Sequence, residues 1–492
     1  MKFQTIIVGA GSAGCVLANR LSENPQHAVL LLEAGPDYPS EAETPIEFLS
    51  EGTPWGVHDW GYSSEPGLLT HSIGLERGKL VGGCSAVNAG VVVRGTPGDY
   101  DEWAALGNEG WSFSEVLPFF RRVENDADFD NEWHGQDGYL PIRREKEENR
   151  VFLQACSALG YARVADHNAP DAMGAGMWPR NWVDGVRQSA ALTYLAAARG
   201  RPNLTIRDKA HVDCVVLDNG RATGVRLAGS GEVIEADRVV LSAGAYGSPI
   251  ILMRSGIGPA DHLNSLNIPV VRNLPGVGQN LSDHPLLWLR FAVSTADRAD
   301  DVMKLGGLLT LRSSEAVAGY DLHIVSGTIS MDDPHLLTFA SLVKPYSRGS
   351  VRLRSSDPEA PPIIDNGYFT HPDDMPRLIQ AVRVAEQLAK TPPLSEILLQ
   401  QLFPDPETTK TARELEAAIL SEASTYFHPV GTCRKGPVTD SLAVVNSRGQ
   451  VYGIEGLFVV DASIMPTIPA ANTNLPTLMV AERCSAWLSE DH

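Results

Sequence analysis

FQTIIVGAGSAGCVLANRLSENPQHAVLLLEAG, residues 3–35, decides the first half of the fold. The apolar run Phe3–Val8 leads straight into Gly9-Ala10-Gly11-Ser12-Ala13-Gly14, and a helical pattern then runs to about Leu21. A second apolar run, Ala28–Leu32, ends at Glu33, which places a carboxylate about twenty residues beyond the glycines in a β-α-β unit. This is the fingerprint of a dinucleotide site. Gly9 permits the tight turn, Gly11 lets the backbone approach a pyrophosphate, and Gly14 lets the helix pack closely on the strand, with its N-terminus facing the phosphates. Glu33 is placed to accept hydrogen bonds from an adenosine ribose. The stretch leaves open whether the ligand is NAD or FAD.

The 492 residues suffice for two or three domains with a cofactor between them. Forty basic against sixty acidic residues give a formal charge of −20, which opposes binding to nucleic acid or an anionic membrane and points to a small-molecule substrate. No stretch reaches the roughly eighteen consecutive apolar residues of a membrane span, and the first residues do not read as a signal peptide. The six cysteines are scattered without a C-x-x-C pair or a nearby histidine cluster, so we expect free thiols in a cytoplasmic protein, with neither zinc nor disulfides.

Beyond Glu33, Asp37–Leu75 is long, rich in Pro, Gly and aromatics and without period, the pattern of a lid or cofactor cover. A second glycine loop, Gly78 to Asn88, follows; its Arg77 and Lys79 suit phosphate ligands or a solvated face equally well. Residues 99–124 read as packing helices, His134–Gly138 as a turn, Arg143–Arg150 as an exposed connection, and Ser189–Ala198 as an alanine-rich helix. Short strands are expected at Leu204–Arg207, Val212–Asp218, Ala222–Leu227, Val233–Glu235 and Arg238–Leu241. Ser242–Pro249 is a further small-residue turn, with a helix from Ile250 to Ser255. Residues 286–430 alternate β runs (Leu286–Val293, Leu322–Ser326, Ser350–Leu353) with helices (Met375–Leu388, Ala412–Ser421), the pattern of an antiparallel sheet with helices on one side.

Near the C-terminus, Leu457–Val460 is a strand ending in Asp461, placed to bind ribityl or phosphate groups through backbone and carboxylate. Pro469–Thr477 then opens a helix, Pro476–Trp487, whose positive end suits the electron-rich edge of a reduced flavin; a nicotinamide needs no such partner.

Taken with Trp60–Pro66, Gly244–Gly258, Gly276–His284, His428-Pro429-Val430-Gly431-Thr432 and Asp461–Thr477, the chain resembles the glucose-methanol-choline family of flavin oxidoreductases over essentially its whole length. Within that family it is most similar to bacterial primary-alcohol oxidases and dehydrogenases of the hydroxymethylfurfural-oxidase-like and choline-oxidase-like branches. The resemblance implies a Rossmann-type α/β FAD-binding domain, residues 1–150, 201–285 and 435–492, interleaved with an α+β substrate domain, 151–200 and 286–434. It implies cofactor contacts at Gly9, Gly11, Ser12, Ala13, Gly14, Glu33, Ala34, Trp60, Gly78, Gly82, Gly83, Asn88, Val91, Val212, Ala243, Gly244, Asp461, Ala462, Thr473, Asn474 and Thr477.

It also makes His428 the catalytic base and Asn472 its partner, in an oxidation of a CH–OH donor by hydride transfer to flavin N5. The chemistry supports the pair independently, because an imidazole titrates near operating pH and an amide can donate to a developing alkoxide. Members with covalent flavin carry a histidine where this chain has Val87, so FAD is expected to be held non-covalently. Tyr426 and Phe427 line the alcohol pocket or pack behind it. His58, His71, His134 and His284 have no comparable case. The electron acceptor is O2 or, alternatively, a quinone or dye. A flavin-containing cyanohydrin lyase is the alternative of another class.

Overall fold

A computed structural model describes residues 2–50, 54, 56–144, 151–293, 307–316, 318–329 and 335–490. The opening stretch folds as strand Phe3–Val8, helix Ser12–Leu21 and strand Val29–Leu32, with the two strands parallel and Val8 opposite Leu32. Ile6, Ile7, Leu30 and Leu31 are buried although they alternate in direction, as in a parallel sheet covered on both faces. Leu204–Arg207 joins one side of this pair and Val233–Leu241 the other, also in parallel.

Val233–Leu241 is one nine-residue strand and not the two short runs read from the sequence. Its first part pairs antiparallel with Arg221–Leu227, and its last part pairs parallel with Leu457–Val459. The two parts follow different rules. The first alternates exposed and buried residues, the second is buried throughout, and the polar pair Asp237-Arg238 at the changeover hides the continuity. The result is a seven-stranded sheet that delivers Asp461 beside Ala243 and Gly244.

A second seven-stranded sheet is antiparallel and contains Pro285–Val293, Gly307–Leu311, Leu322–Ile329, His335–Leu342 and Leu398–Phe403. Pleating sends Leu287, Leu289, Ile324 and Ala340 into the main core with Leu378 and Val382 of the helix Asp374–Ala389. Leu286, Leu308, Val325 and Phe339 go to the other face, in a separate apolar cluster with Val93 and Ala471. Ser350–Arg352, expected in this sheet, instead forms a small hairpin with Ile363–Asp365.

Three further readings change. The helix expected from Ile250 begins at Gly244 and carries Pro249 inside it, because its first N–H is capped by Asp461, 217 residues away. Of the alanine-rich segment only Ala191–Leu195 is helical, a single π turn whose Tyr194 carbonyl accepts from Asn19. Within Arg143–Arg150, residues 145–150 lie outside the described residues. Arg143 is exposed, but Arg144 is half-buried, with its guanidinium paired to Asp126 and Asp166. His134, read as part of a turn, is bracketed there by Glu124, Asp126 and Asp166, and despite burial these carboxylates push its pKa up to about 10. Among the described residues no helix is long and apolar enough to cross a membrane.

Candidate functional site

The glycine turn is built by contacts no side chain would allow. Gly9 has φ +96°, and a Cβ there would stand 2.7 Å from the Ser242 carbonyl; a Cβ on Gly14 would stand 1.9 Å from the Gly9 carbonyl. The Glu33 carboxylate closes the turn by accepting from Ala10 N and Gly35 N, both at 2.9 Å. Burial pushes Glu33 up to about 7, against the pull of those two bonds. The second glycine loop sits directly on the first, with Gly82 N donating to the Ala10 carbonyl at 2.8 Å.

Three helices start at this place: Ser12–Leu21, Gly244–Arg254 and Asn474–Glu490. None carries an acidic residue in its first turn, so three positive ends stand uncompensated by their own sequences. Ser12 Oγ donates to Asn474 Oδ1 at 2.8 Å, joining the first of these helices to the last. The Asp461 carboxylate is not open to a ligand. It accepts from Gly244 N, Ser248 Oγ and Ser463 N and is 2% exposed, so any cofactor contact from this residue falls to its backbone.

The helix ends open onto a cavity of about 610 Å³. Every expected cofactor residue lines it except Gly14 and Gly82, which shape the turn from behind. Tyr426, Phe427, His428 and Asn472 line it as well, so the nucleotide-binding turn and the expected catalytic pair share one space. The helix ends, the bare glycine backbone and the Glu33 acceptor suit a dinucleotide with a pyrophosphate at its middle. Arg77 and Lys79, ambiguous in the sequence, also line the cavity.

At the other end of the cavity His428 is 8% exposed. Its Nδ1 lies 3.0 Å from His284 Nδ1, and its Nε2 lies 3.2 Å from Asn472 Nδ2. One tautomer satisfies both contacts: the Asn472 amide donates to Nε2, and Nδ1–H donates to His284. The Nε2 lone pair then faces Asn472 at the cavity wall. Asp283 ties together the backbones that carry the two imidazoles, its Oδ1 accepting from the main-chain N–H of His284 and of His428, each at 2.8 Å, and its Oδ2 accepting from the Thr425 hydroxyl. The Tyr426 ring packs 4.3 Å from the His428 ring.

Burial, then the Arg77 guanidinium, then His323 hold His428 well below the usual histidine range, so it is neutral at physiological pH. Arg77 reaches this place because its Nη2 donates to the Phe427 carbonyl at 3.1 Å. Burial likewise keeps His284 neutral, with His428 adding to the effect, and burial raises Asp283. His284, set aside in the sequence, is therefore in contact with the candidate base. The signal was the Asp283-His284 pair at the mouth of an apolar strand; its partner 144 residues on could not be read from spacing. Among the described residues no cluster of His, Cys, Asp or Glu is arranged to hold a metal ion.

A family model described as GMC oxidoreductase matches residues 3–286 with its N-terminal part and 345–481 with its C-terminal part. The oxygen-dependent choline dehydrogenase 1 of Chromohalobacter salexigens is 35% identical over 528 residues, covering 98% of this chain and 94% of that protein. The oxygen-dependent choline dehydrogenase of Sinorhizobium fredii is 34% identical, covering 99% and 95%. Among solved structures, pyridoxine 4-oxidase from Mesorbium loti aligns over the whole of both chains with a TM-score of 0.91 and 31% identity. An FAD-dependent oxidoreductase from Chaetomium thermophilum does so at 0.90 and 25%.

Proposed function

The chain belongs to the GMC oxidoreductase family and is an FAD-dependent enzyme acting on CH–OH donors, and we propose that His428 is its base, Asn472 the partner of that base, and a primary alcohol its donor. The observation that carries this reading is the placement of His428 Nε2 and Asn472 Nδ2, 3.2 Å apart at the wall of the cavity that the glycine turn opens.

When bound, FAD supplies the acceptor for the two electrons that leave the carbinol carbon as hydride. The start of the Ser12–Leu21 helix, with Gly11, would hold the pyrophosphate, Glu33 the ribose, and the start of the Asn474–Glu490 helix the electron-rich edge of the ring. Val87 offers no nucleophile for a covalent link, which supports a cofactor held without one at that position. A donor hydroxyl that displaces the hydrogen bond between the pair meets the lone pair of His428 Nε2 and an N–H of Asn472. The imidazole accepts the proton, and the amide steadies the negative charge that develops on oxygen. The resulting imidazolium can pass charge to neutral His284 through the 3.0 Å Nδ1–Nδ1 contact.

Oxygen is the acceptor in this reading, supported by the oxygen-dependent naming of the choline-oxidising relatives. The relatives' names span choline, a quaternary ammonium alcohol, and pyridoxine, an aromatic one. Nothing among these matches supports cyanohydrin cleavage. The division into a cofactor domain (1–150, 201–285, 435–492) and a donor domain (151–200, 286–434) is likewise our proposal. The two sheets support it, with Ala191–Leu195 reaching across to the first helix. So is a cytoplasmic setting, supported by six free thiols.

Anaerobic mixing of the purified yellow protein with primary alcohols tests the reading. Bleaching of the flavin, with peroxide formed on readmitting air, is expected; failure of every alcohol to bleach it would overturn the activity. Yellow colour retained in an acid-precipitated pellet would overturn non-covalent binding.

A further inference from the structure

Resting on that reading, we infer that the donor is a neutral, flat, largely apolar alcohol such as a benzylic carbinol, and not a cationic one. The argument begins with the pleat of the second sheet. The face of that sheet turned to His428 carries Leu286, Trp288 and Phe339, with Trp288 directly across from Phe339. Val91, Tyr426 and Phe427 complete the wall. These side chains offer a donor apolar surface, and their aromatic members favour a flat ring edge-on or offset.

A cation would need a carboxylate or open ring faces. Five carboxylates line the cavity among the described residues, and none belongs to this wall. Glu33 closes the glycine turn, Asp461 caps the Gly244 helix, and Asp59 accepts from Arg77 N and Gly61 N. Glu359 is exposed and pairs with His211, and Glu76, its Oε1 beside Gly74 and its buried Oε2 without a hydrogen-bond partner, is faced by the positive charge of the adjacent Arg77. The ring faces are partly covered too, since Trp288 meets Phe339 at 69° and Phe339 meets Tyr426 at 75°, edge to face at 4.9 and 4.8 Å.

Of the charged side chains that line the cavity, the one that reaches the base is positive, whereas the Asp283 carboxylate lies outside the lining and is taken up by His284 N, His428 N and the Thr425 hydroxyl. Arg77 donates to the carbonyl of Phe427, the residue preceding His428, and its guanidinium stands 5.9 Å from the Phe427 ring. A quaternary ammonium entering here would shed its water, find no carboxylate on this wall and meet a like charge. A neutral carbinol meets none of these obstacles.

The test compares three donors on the holoenzyme: 4-methoxybenzyl alcohol, choline, and 3,3-dimethylbutan-1-ol, which copies the shape of choline with carbon in place of the charged nitrogen. We expect kcat/KM to fall in the order benzylic alcohol, neutral isostere, choline, with roughly tenfold or more between the last two from the unpaired charge. In Arg77→Gln the isostere-to-choline ratio should narrow. Choline oxidised as well as its isostere, or a ratio unmoved in Arg77→Gln, would overturn the inference while leaving alcohol oxidation intact. Failure of all three donors in an enzyme bleached by some other alcohol would also overturn it. A flavin bleached by no alcohol at all would remove the parent activity and this inference with it.

Discussion

Asp283→Asn isolates the support beneath the base from the base itself. The wild-type carboxylate holds three groups: His284 N and His428 N on one oxygen, at 2.8 Å each, and the Thr425 hydroxyl on the other. An amide oxygen can keep both backbone donors, but the amide nitrogen then faces a hydroxyl that already accepts from Phe427 N at 2.7 Å. Exchanging charge-assisted for neutral hydrogen bonds costs about 1 kcal/mol each, and relief of a buried charge offsets part of that. The net loss of stability should be about 1–2 kcal/mol, read as a fall of a few degrees or less in melting temperature. The larger effect is on geometry. A displacement of the order of 1 Å at a reacting group costs about a hundredfold in rate, and a few tenths of an ångström costs about tenfold. Stopped-flow reduction of the flavin by a saturating alcohol should therefore slow roughly 10- to 100-fold with FAD content unchanged. Reduction within twofold of wild type, accompanied by the melting shift, would show that Asp283 stabilises the fold without positioning His428.

Glu33→Ala removes the acceptor of Ala10 N and Gly35 N, so it should release FAD during purification and lower stability by about 1–3 kcal/mol; unchanged flavin content would contradict the ribose role. Gly14→Ala forces a Cβ into the Gly9 carbonyl, and we expect a destabilised, largely colourless protein, checked by the absorbance ratio of flavin to protein. Because the His428 pKa is depressed, the base is competent above the ordinary histidine value and is lost only as pH falls below it. The acid limb of kcat/KM should thus lie below about pH 6.5. Arg77→Gln removes a positive neighbour and should move that limb upward; an unmoved limb would contradict the electrostatic coupling.

Legibility in the sequence followed the range of the interactions. The β-α-β unit was readable because strand, turn, helix and Glu33 are contiguous and each glycine answers a local steric demand. The antiparallel sheet was readable as a class, from alternating runs, but not its membership: Ser350–Arg352 has the same local pattern and pairs elsewhere. The early start of the Gly244 helix was invisible because its cap comes from Asp461, and the same bond occupies the Asp461 carboxylate, leaving its backbone at the cavity. His428 and Asn472 were singled out through the family resemblance, with the chemistry in support, whereas His284 and Arg77 were not assigned. Their roles depend on which strand mouth and which loop the fold brings to the base, and no local spacing encodes that.

The central claim is that His428 takes the donor's proton in the cavity opened by the glycine turn. Anaerobic stopped-flow of His428→Ala, with FAD content and melting temperature measured on the same preparation, tests it most directly. The account predicts bound FAD, a near-native melting temperature and flavin reduction slowed by about two to four orders of magnitude. Near-normal reduction in that variant would contradict it.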